Sequence, residues 1–368
     1  MTARGMNIRF GAGVPNIYGF NALPATSSAQ VMGAAFSHTA EPPAGFVPNA
    51  ALGVIANGIF TNGQTVTLNL PSGGLGIKTN VKPLYWIPLE TDLLPHPTLS
   101  RTTGSLNPDS SSVIQTSIKP INAAGAARTR ACDSTTQFPA PIIFQNPCVG
   151  TFSDCYIFMK RYFNHSIDYP AINDKWARLW STAGVGSQPD RYWGSGADIA
   201  SELGAATYGF YFSNAISHAQ STWHTDEHIY RDSSLDTRNG VFNFWRDGQY
   251  GGNVGNSSLG YGPNAMTRTT ALPQVSRFLF FDEYSNTSLD AFDYKHSIYV
   301  DDSHQRVMIS NEATISSSSS TREVCIPTAW SDVSVSCVLR QGALATLSGL
   351  YLWAWTDINT QILLGQFS

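Results

Sequence analysis

The sequence predicts an all-β protein, and three observations lead to this prediction. Glycine and proline together make up about one residue in seven, with 31 and 20 copies in 368 residues, which suits many short strands joined by turns. Several segments alternate between apolar and polar residues, which is the period of a strand with one buried face. Hydrophobic residues account for 42% of the chain, enough for sizeable cores in about two domains.

The chain opens with an arm and continues into a hairpin. Residues 1–48 are rich in glycine, proline, alanine and serine without a sustained period, so we expect an extended N-terminal arm packed on the body or on a neighbouring subunit. Strands are expected at residues 52–56 and 65–70. They flank Asn62-Gly63, a strong two-residue hairpin signal.

The remaining strands follow from apolar runs and from alternation. Residues 101–130, which are rich in serine, threonine, alanine and glycine, have little core potential, and we expect them to cross the surface. Strands are predicted at residues 83–90, 155–163, 175–180, 206–212, 222–231, 240–246, 277–281, 298–300, 306–310, 333–339, 349–355 and 362–365.

Charge and hydropathy exclude several classes of partner. The 22 basic and 26 acidic residues give a formal net charge of −4, so we expect no nucleic-acid partner that binds through phosphates. No run approaches 18 apolar residues, so we expect no membrane insertion. The N-terminus lacks the apolar region of a signal peptide. We therefore expect a protein of the producing cell's cytoplasm, or one released without a signal peptide, as a virion is by lysis.

The cysteines and acidic residues predict no cofactor. The five cysteines show no CxxC pair or zinc spacing, and their odd number favours free, buried thiols, although Cys325 and Cys337 are candidates for hairpin neighbours. Four acidic residues are candidate ligands for a structural calcium ion: Glu90, Asp293, Asp301 and Asp302. Their spacing is unlike that of an EF-hand loop, which favours acidic side chains that are simply solvated.

Two resemblances refine the fold class. The segment Phe60-Thr-Asn-Gly-Gln-Thr-Val-Thr-Leu resembles the opening hairpin of IPT/TIG-type immunoglobulin-like domains, and Trp330-Ser-Asp before an alternating strand resembles their later strands. Trp223…Glu227…Arg231 followed by Gly240…Trp245-Arg-Asp-Gly is similar to the concanavalin A-like lectin/glucanase jelly roll, as found in phage virion carbohydrate-binding proteins.

The resemblances imply two sandwiches, one split by the other. Residues 49–81 and 297–368 would form the smaller immunoglobulin-like sandwich, and residues 82–296 the concanavalin A-like jelly roll. The physical argument is that the alternating hairpin strands must bury one face, and a lone hairpin is too small to be stable. We expect Trp330, with Trp353 or Trp355, to be buried near that hairpin.

The candidate site is a glycan-binding face on two neighbouring strands. Sugar rings stack on aromatic side chains while planar polar groups bind their hydroxyls. By parity, Trp223, Glu227 and Arg231 share one face of a predicted strand. Asn243 and Trp245 share one face of the next strand, and Tyr192 lies in a loop flanked by glycine and proline. The alternative is that both tryptophans are core and that Glu227 pairs with Arg231.

Catalysis is the competing interpretation. A retaining glycosidase needs paired carboxylates on one face, and Asp226 and Glu227 point to opposite faces of a strand. A polysaccharide lyase needs a proton-transferring pair, for which His224, His228 and Tyr230 share one parity. The sequence leaves the question of an enzyme open and assigns no catalytic residue.

The function expected from these observations is that of a virion-associated structural protein, such as a bacteriophage capsid decoration, fibre or tail component, with a glycan-binding jelly roll. Its partners would be a surface polysaccharide and neighbouring virion subunits, including copies of itself. The alternative is a lyase-type carbohydrate-active enzyme.

Overall fold

The structure is a computed structural model that describes residues 45–90, 113–132, 142–145, 153–164, 174–181, 190–195, 199–203, 209–211, 219–250, 262–265, 267–268, 274–280, 291–315 and 321–368. Within these ranges the regular elements are β-strands and one 3-10 turn, Ala50–Leu52. The all-β prediction is confirmed. No helix in the described ranges is long and apolar enough to cross a bilayer. The predicted arm lies outside them, apart from its last four residues, of which Phe46–Pro48 form a strand.

The strands of this part of the chain are numbered in order: β1 Phe46–Pro48, β2 Ile55–Gly58, β3 Thr65–Asn69, β4 Tyr85–Ile87, β5 Val113–Gln115, β6 Ala126–Cys132, β7 Ile142–Gln145, β8 Asp154–Phe163, β9 Asp174–Ser181, β10 Asp190–Ser195, β11 Ile199–Leu203, β12 Gly209–Tyr211, β13 Trp223–Arg231, β14 Gly240–Arg246, β15 Gln249–Tyr250, β16 Gly262–Ala265, β17 Val275–Phe280, β18 Ala291–Asp301, β19 Arg306–Ser310, β20 Arg322–Ser331, β21 Ser334–Val338, β22 Tyr351–Trp355 and β23 Gln361–Phe367.

The chain forms two compact units. The smaller contains residues 1–82, 305–313 and 323–368, and the larger contains residues 83–304 and 314–322. The division at 82–83 lies one residue after the expected division at 81–82, and the expected boundary at residue 297 falls inside β18, a strand of the larger unit. The reason is a bulge in β18 that keeps Ile298 and Val300 facing the larger core.

One eight-stranded sheet, in the order β1-β23-β22-β19-β20-β21-β3-β2, forms the smaller unit. The hairpin predicted at the start of the chain pairs with its C-terminal part, because β3 lies against β21 with Leu68 opposite Val335 and Thr67 opposite Ser336. The Oγ atoms of Thr67 and Ser336 are 2.8 Å apart, so even the polar positions are paired.

The core of the smaller unit draws on both halves of this sheet. It includes Val66 and Leu68 of β3 together with Leu352 and Ala354 of β22. Trp330 belongs to the same core, and its indole Nε1 donates to the Gly76 carbonyl at 3.0 Å. Trp353 and Trp355 are buried as well, on the face of β22 opposite Leu352 and Ala354.

Two sheets form the larger unit. The nine-stranded sheet has the order β15-β14-β13-β8-β18-β6-β5, with β16 beside β14 and β4 beside β18, and the six-stranded sheet has the order β12-β11-β10-β9-β17-β7. One core joins them, since Ile157 and Phe244 of the first sheet cluster with Leu179 and Phe278 of the second. We call the face of the nine-stranded sheet that carries this core the inner face, and the opposite one the outer face.

The expectation that residues 101–130 contribute little to the core is wrong for part of that range. Val113–Gln115 and Ala126–Cys132 pair with each other, and the latter also pairs with β18. Ala126 and Ala127 are fully buried. Alanine carries little strand propensity, so this strand is selected by its neighbour β18 rather than by its own residues.

The described cysteines bear out the expectation of free thiols. Cys155, Cys325 and Cys337 are free and buried. Burial raises the pKa of the Cys155 thiol well above its usual value. Contact with Cys325, reinforced by burial, does the same for the pKa of Cys337. Cys132 has a described backbone only, and Cys148 lies outside the described residues.

Candidate functional site

Strands β13 and β14 bring five of the six predicted site residues onto one face. In their antiparallel register Glu227 lies opposite Trp245 and Ile229 lies opposite Asn243. Trp223 and Arg231 have the parity of Glu227. Opposite residues in an antiparallel pair project to the same side, so all five lie on the outer face.

Tyr192 is placed differently from its prediction. It lies in β10, a strand of the six-stranded sheet, rather than in a loop, with its backbone between Glu202 of β11 and Arg178 of β9. Of the residues that suggested a loop, Pro189 precedes the strand, whereas Gly194 lies inside it at an irregularity in its pairing with β9. Only its backbone is described.

Glu227, at the centre of the predicted site, is buried and already bound. The Oη of Tyr156 donates to its Oε2 at 2.8 Å, and Arg322 donates to its Oε1 at 2.8 Å. Arg322 also donates to the Ile315 carbonyl at 2.8 Å, so one guanidinium group links Ile315 to Glu227. Glu227 therefore acts as an anchor for Arg322, because both carboxylate oxygens have partners in the chain.

Arg231, Asn243 and Trp245 remain partly exposed beside that anchored centre. The Nε of Arg231 donates to Asp154 Oδ1 at 2.6 Å, with side chains that are 40% and 29% exposed. Asn243 and Trp245 alternate with buried residues along β14, which puts both on the outer face about 7 Å apart. The three side chains form a stripe that we call the β14 stripe.

Trp223 belongs to a separate aromatic group at the far end of the outer face. Its indole is 5.6 Å from the ring of Tyr162, which lies 5.3 Å from that of Tyr294 in an edge-to-face contact. Trp223 is four residues from Glu227, about 13 Å along the strand. Among the described residues, the outer face thus presents two partly exposed areas, divided by the bound Glu227.

The inner face carries a buried charge cluster at the end of the sheet away from the apolar core. Asp226 accepts from Arg246 Nε at 2.6 Å and from its terminal nitrogen at 2.7 Å. Arg161 donates to Asp293 Oδ2 at 2.7 Å, and Lys295 reaches the same oxygen at 3.1 Å. All five side chains are fully buried.

Electrostatics within this cluster set the state of its titratable groups. Burial by itself raises the pKa of Asp226, but the guanidinium groups of Arg246 and Arg161 outweigh it and hold the pKa below its usual value. Burial lowers the pKa of His228 to about 3, against the opposing effect of Asp226. Asp226 is therefore charged and His228 neutral near pH 7.

The other two residues of the lyase interpretation lie at the borders of this cluster. His224 stacks on Phe163 at 5.2 Å, and its Nδ1 lies 2.6 Å from Asp247. Tyr230 belongs to the apolar core, where its hydroxyl contacts Asp232. Their shared parity is as predicted, yet only His228 lies among the charges.

Sequence reasoning missed the cationic members of the cluster. Arg161 and Arg246 stand in strands that were predicted from their apolar residues, and a charged residue at a core position was the signal available. Lys295 lies before the strand predicted at residues 298–300, in the part of β18 that the prediction missed.

The described residues contain no group of three metal-ligating side chains. Of the calcium candidates, Asp293 is bound by Arg161 and Lys295. Glu90 lies 3.1 Å from His296, and Asp301 accepts from Tyr299 and from the Ser303 amide.

Comparisons with known proteins give structural likenesses only. No protein-family model and no curated protein matches the chain. Among solved structures, "Cellulose induced protein, Cip1" is 12% identical with a TM-score of 0.39, over 52% of this chain and 86% of the other. An endo-β-1,4-glucuronan lyase from Trichoderma reesei is 10% identical with a TM-score of 0.38, over 52% and 86%. The Emp46p carbohydrate recognition domain is 9% identical with a TM-score of 0.36, over 61% and 99%. At these TM-scores the likenesses carry no argument about what the chain binds.

Proposed function

We propose that the larger unit binds a polysaccharide on the β14 stripe. The observation that carries the proposal is the partly exposed indole of Trp245 beside the Asn243 amide and the Arg231–Asp154 pair, on one face of an antiparallel sheet. An indole offers its face to sugar C–H groups, and the amide, guanidinium and carboxylate offer donors and acceptors for hydroxyls.

The exposed ion pair suits this use. A pair that is 40% and 29% exposed contributes about 0–1 kcal/mol to stability, so exchanging part of it for sugar hydroxyls costs the fold little. Glu227 is the contrasting case, because a ligand there would have to displace Arg322. The proposal therefore keeps Arg231, Asn243 and Trp245 as contact residues and gives Glu227 a positioning role, with Trp223 as a separate contact at the far end.

A glycan array, followed by affinity electrophoresis in the polysaccharides that bind, tests the proposal on the intact chain. Trp245→Ala is expected to weaken binding by at least tenfold, since a stacking aromatic contributes on the order of 1.5 kcal/mol or more. Tyr351→Ala, at a partly exposed aromatic of the smaller unit, is the matched control and should bind normally. Wild-type-like binding by Trp245→Ala, or an array without signal, contradicts the proposal.

A uronate lyase is the second candidate, favoured by the inner-face cluster. In β-elimination a base removes the proton next to the carboxylate, and a cation stabilises the charge that develops there. Neutral His228 is able to accept a proton, and Arg161, Arg246 and Lys295 supply positive charge. Because these side chains are buried, a polymer would have to enter between the two sheets, which is why the candidate ranks second.

Absorbance of the unsaturated product distinguishes the two candidates. A panel of uronate polymers should show rising ultraviolet absorbance with a lyase, lost in His228→Asn. A flat trace with polymers that the array shows to bind favours a binding protein.

The virion location and the virion partners rest on the sequence alone, and we propose them on that basis. Size-exclusion chromatography with light scattering is expected to show that the chain self-associates. Mass spectrometry of purified virus particles is expected to detect the chain. A monomer that is absent from any particle contradicts this part.

A further inference from the structure

A serine, a histidine and a glutamate of the larger unit form a hydrogen-bonded relay. The hydroxyl of Ser297 is hydrogen-bonded to Nδ1 of His296, and Nε2 of His296 lies 3.1 Å from Glu90 Oε1. Glu90 comes from the segment after β4, and the other two residues lie in β18, so the contact joins residues 206 positions apart.

The partners determine the direction of the hydrogen bonds. An ionised carboxylate only accepts, so His296 Nε2 carries the proton and donates to Glu90. In the neutral imidazole Nδ1 is then the acceptor, and the Ser297 hydroxyl donates to it. This is the order of groups required to activate a serine: a hydroxyl on a base that is oriented by a third group.

The backbone at both ends of the relay is strained. Ser297 has φ 56° and Leu89, next to Glu90, has φ 57°, in the left-handed region that non-glycine residues seldom adopt. Ser297 also lies at the bulge of β18, and its amide donates to the Pro88 carbonyl at 3.2 Å. Such conformations persist where the surroundings impose them, and they concentrate at active sites, as bulges do.

We propose that Ser297 is the nucleophile of an ester-hydrolysing site, with His296 as its base and Glu90 as the residue that positions the imidazole. Ser297 is 2% exposed and the Glu90 side chain is 22% exposed, so access is narrow and the substrate class is a short-chain acyl ester. The inference goes beyond polysaccharide binding, and its His296 ring lies 6.5 Å from that of Trp223, the contact proposed at the far end of the outer face.

The chemistry balances without a further reactant besides water. The Ser297 oxygen bonds to the acyl carbon while its proton passes to His296 Nδ1. The bond from the acyl carbon to the ester oxygen then breaks, and that oxygen leaves as an alcohol with the proton from His296. Water attacks the acyl-serine by the same proton route, which releases the carboxylic acid and restores the serine.

Covalent labelling of the intact chain with diisopropyl fluorophosphate, a small serine reagent, tests the proposal. Attack by Ser297 forms an oxygen–phosphorus bond and releases fluoride with the serine proton. Peptide mass spectrometry should place one adduct on Ser297. Ser297→Gly should abolish that adduct and still fold, because glycine adopts the positive φ without strain.

Ser303→Ala is the matched control. Ser303 also neighbours a histidine, His304, but its Oγ lies 3.3 Å from Asp301 and His304 Nε2 lies 3.3 Å from the Tyr230 carbonyl. This variant should be labelled at the wild-type rate. A folded wild-type chain without an adduct at Ser297, or with equal labelling in Ser297→Gly, overturns the proposal.

The positioning role of Glu90 has a separate readout. Glu90→Gln keeps the shape but removes the charge that stabilises the imidazolium, so the labelling rate at Ser297 should fall at least tenfold while the melting temperature stays within about 2 °C. An unchanged labelling rate contradicts this role.

Discussion

Asp226→Asn is the most informative test of the inner-face cluster. The substitution keeps the shape of the side chain and removes the negative charge that binds Arg246 at 2.6 and 2.7 Å and lies 3.7 Å from Arg161. Because all three side chains are fully buried, the two guanidinium groups cannot turn to water. Breaking a buried pair by removal of one partner costs about 3–5 kcal/mol, and we expect a loss of this size in the free energy of unfolding at pH 7.

An exposed pair on the same sheet supplies the control. Asp154→Asn removes the partner of Arg231, where both side chains are partly exposed, and should cost about 0–1 kcal/mol. Urea unfolding followed by tryptophan fluorescence measures both variants, with the transition of the larger unit fitted separately from that of the smaller.

The pH dependence adds a second readout. The pKa of Asp226 is lowered in the folded state, so its carboxylate stabilises the fold above its unfolded pKa of about 3.9. This contribution is lost as the pH falls through the lower folded pKa. The difference between wild type and Asp226→Asn should therefore shrink only in acid below about pH 4. A loss under 1 kcal/mol at pH 7, equal to that of Asp154→Asn, would refute the reasoning.

Three further predictions concern packing, backbone and thiols. Leu68→Ala should cost about 2–5 kcal/mol in urea unfolding of the smaller unit, because Leu68 is fully buried in its core, and a loss below 1 kcal/mol contradicts that placement. Gly342→Ala should lower the melting temperature more than Gly63→Ala. Both glycines have a positive φ, but only at Gly342 would an added Cβ lie 2.2 Å from the Glu323 carboxyl carbon. Equal effects of the two substitutions would count against that close contact. Cys155 and Cys337 should react with a thiol reagent only on unfolding, because burial and a raised pKa keep both as thiols. Mass spectrometry maps the labelled sites, and fast labelling of the native chain would contradict the prediction.

Strand periodicity was readable from the sequence. The alternation at Thr65–Asn69 predicted a half-buried strand, and Val66 and Leu68 are buried between more exposed neighbours. The opposite orientations of Asp226 and Glu227 followed from the two-residue period, and each occupies a different face of β13. These properties are local, so neighbouring residues suffice to predict them.

The partners of those residues were decided by the tertiary structure. Parity put Glu227 on a face with Trp223 and Arg231, but the charge that binds it is Arg322, 95 positions later in the chain. Parity likewise put His228 on the face of β13 away from Glu227, while the burial that keeps it neutral involves residues of other strands, such as Phe244 of β14. The sequence by itself determined that β13 has two chemically different faces. Only the fold decided that one face is closed over charges and that the other is partly exposed at Trp223 and Arg231 with Glu227 buried between them, because burial and pairing depend on strands that are distant along the chain.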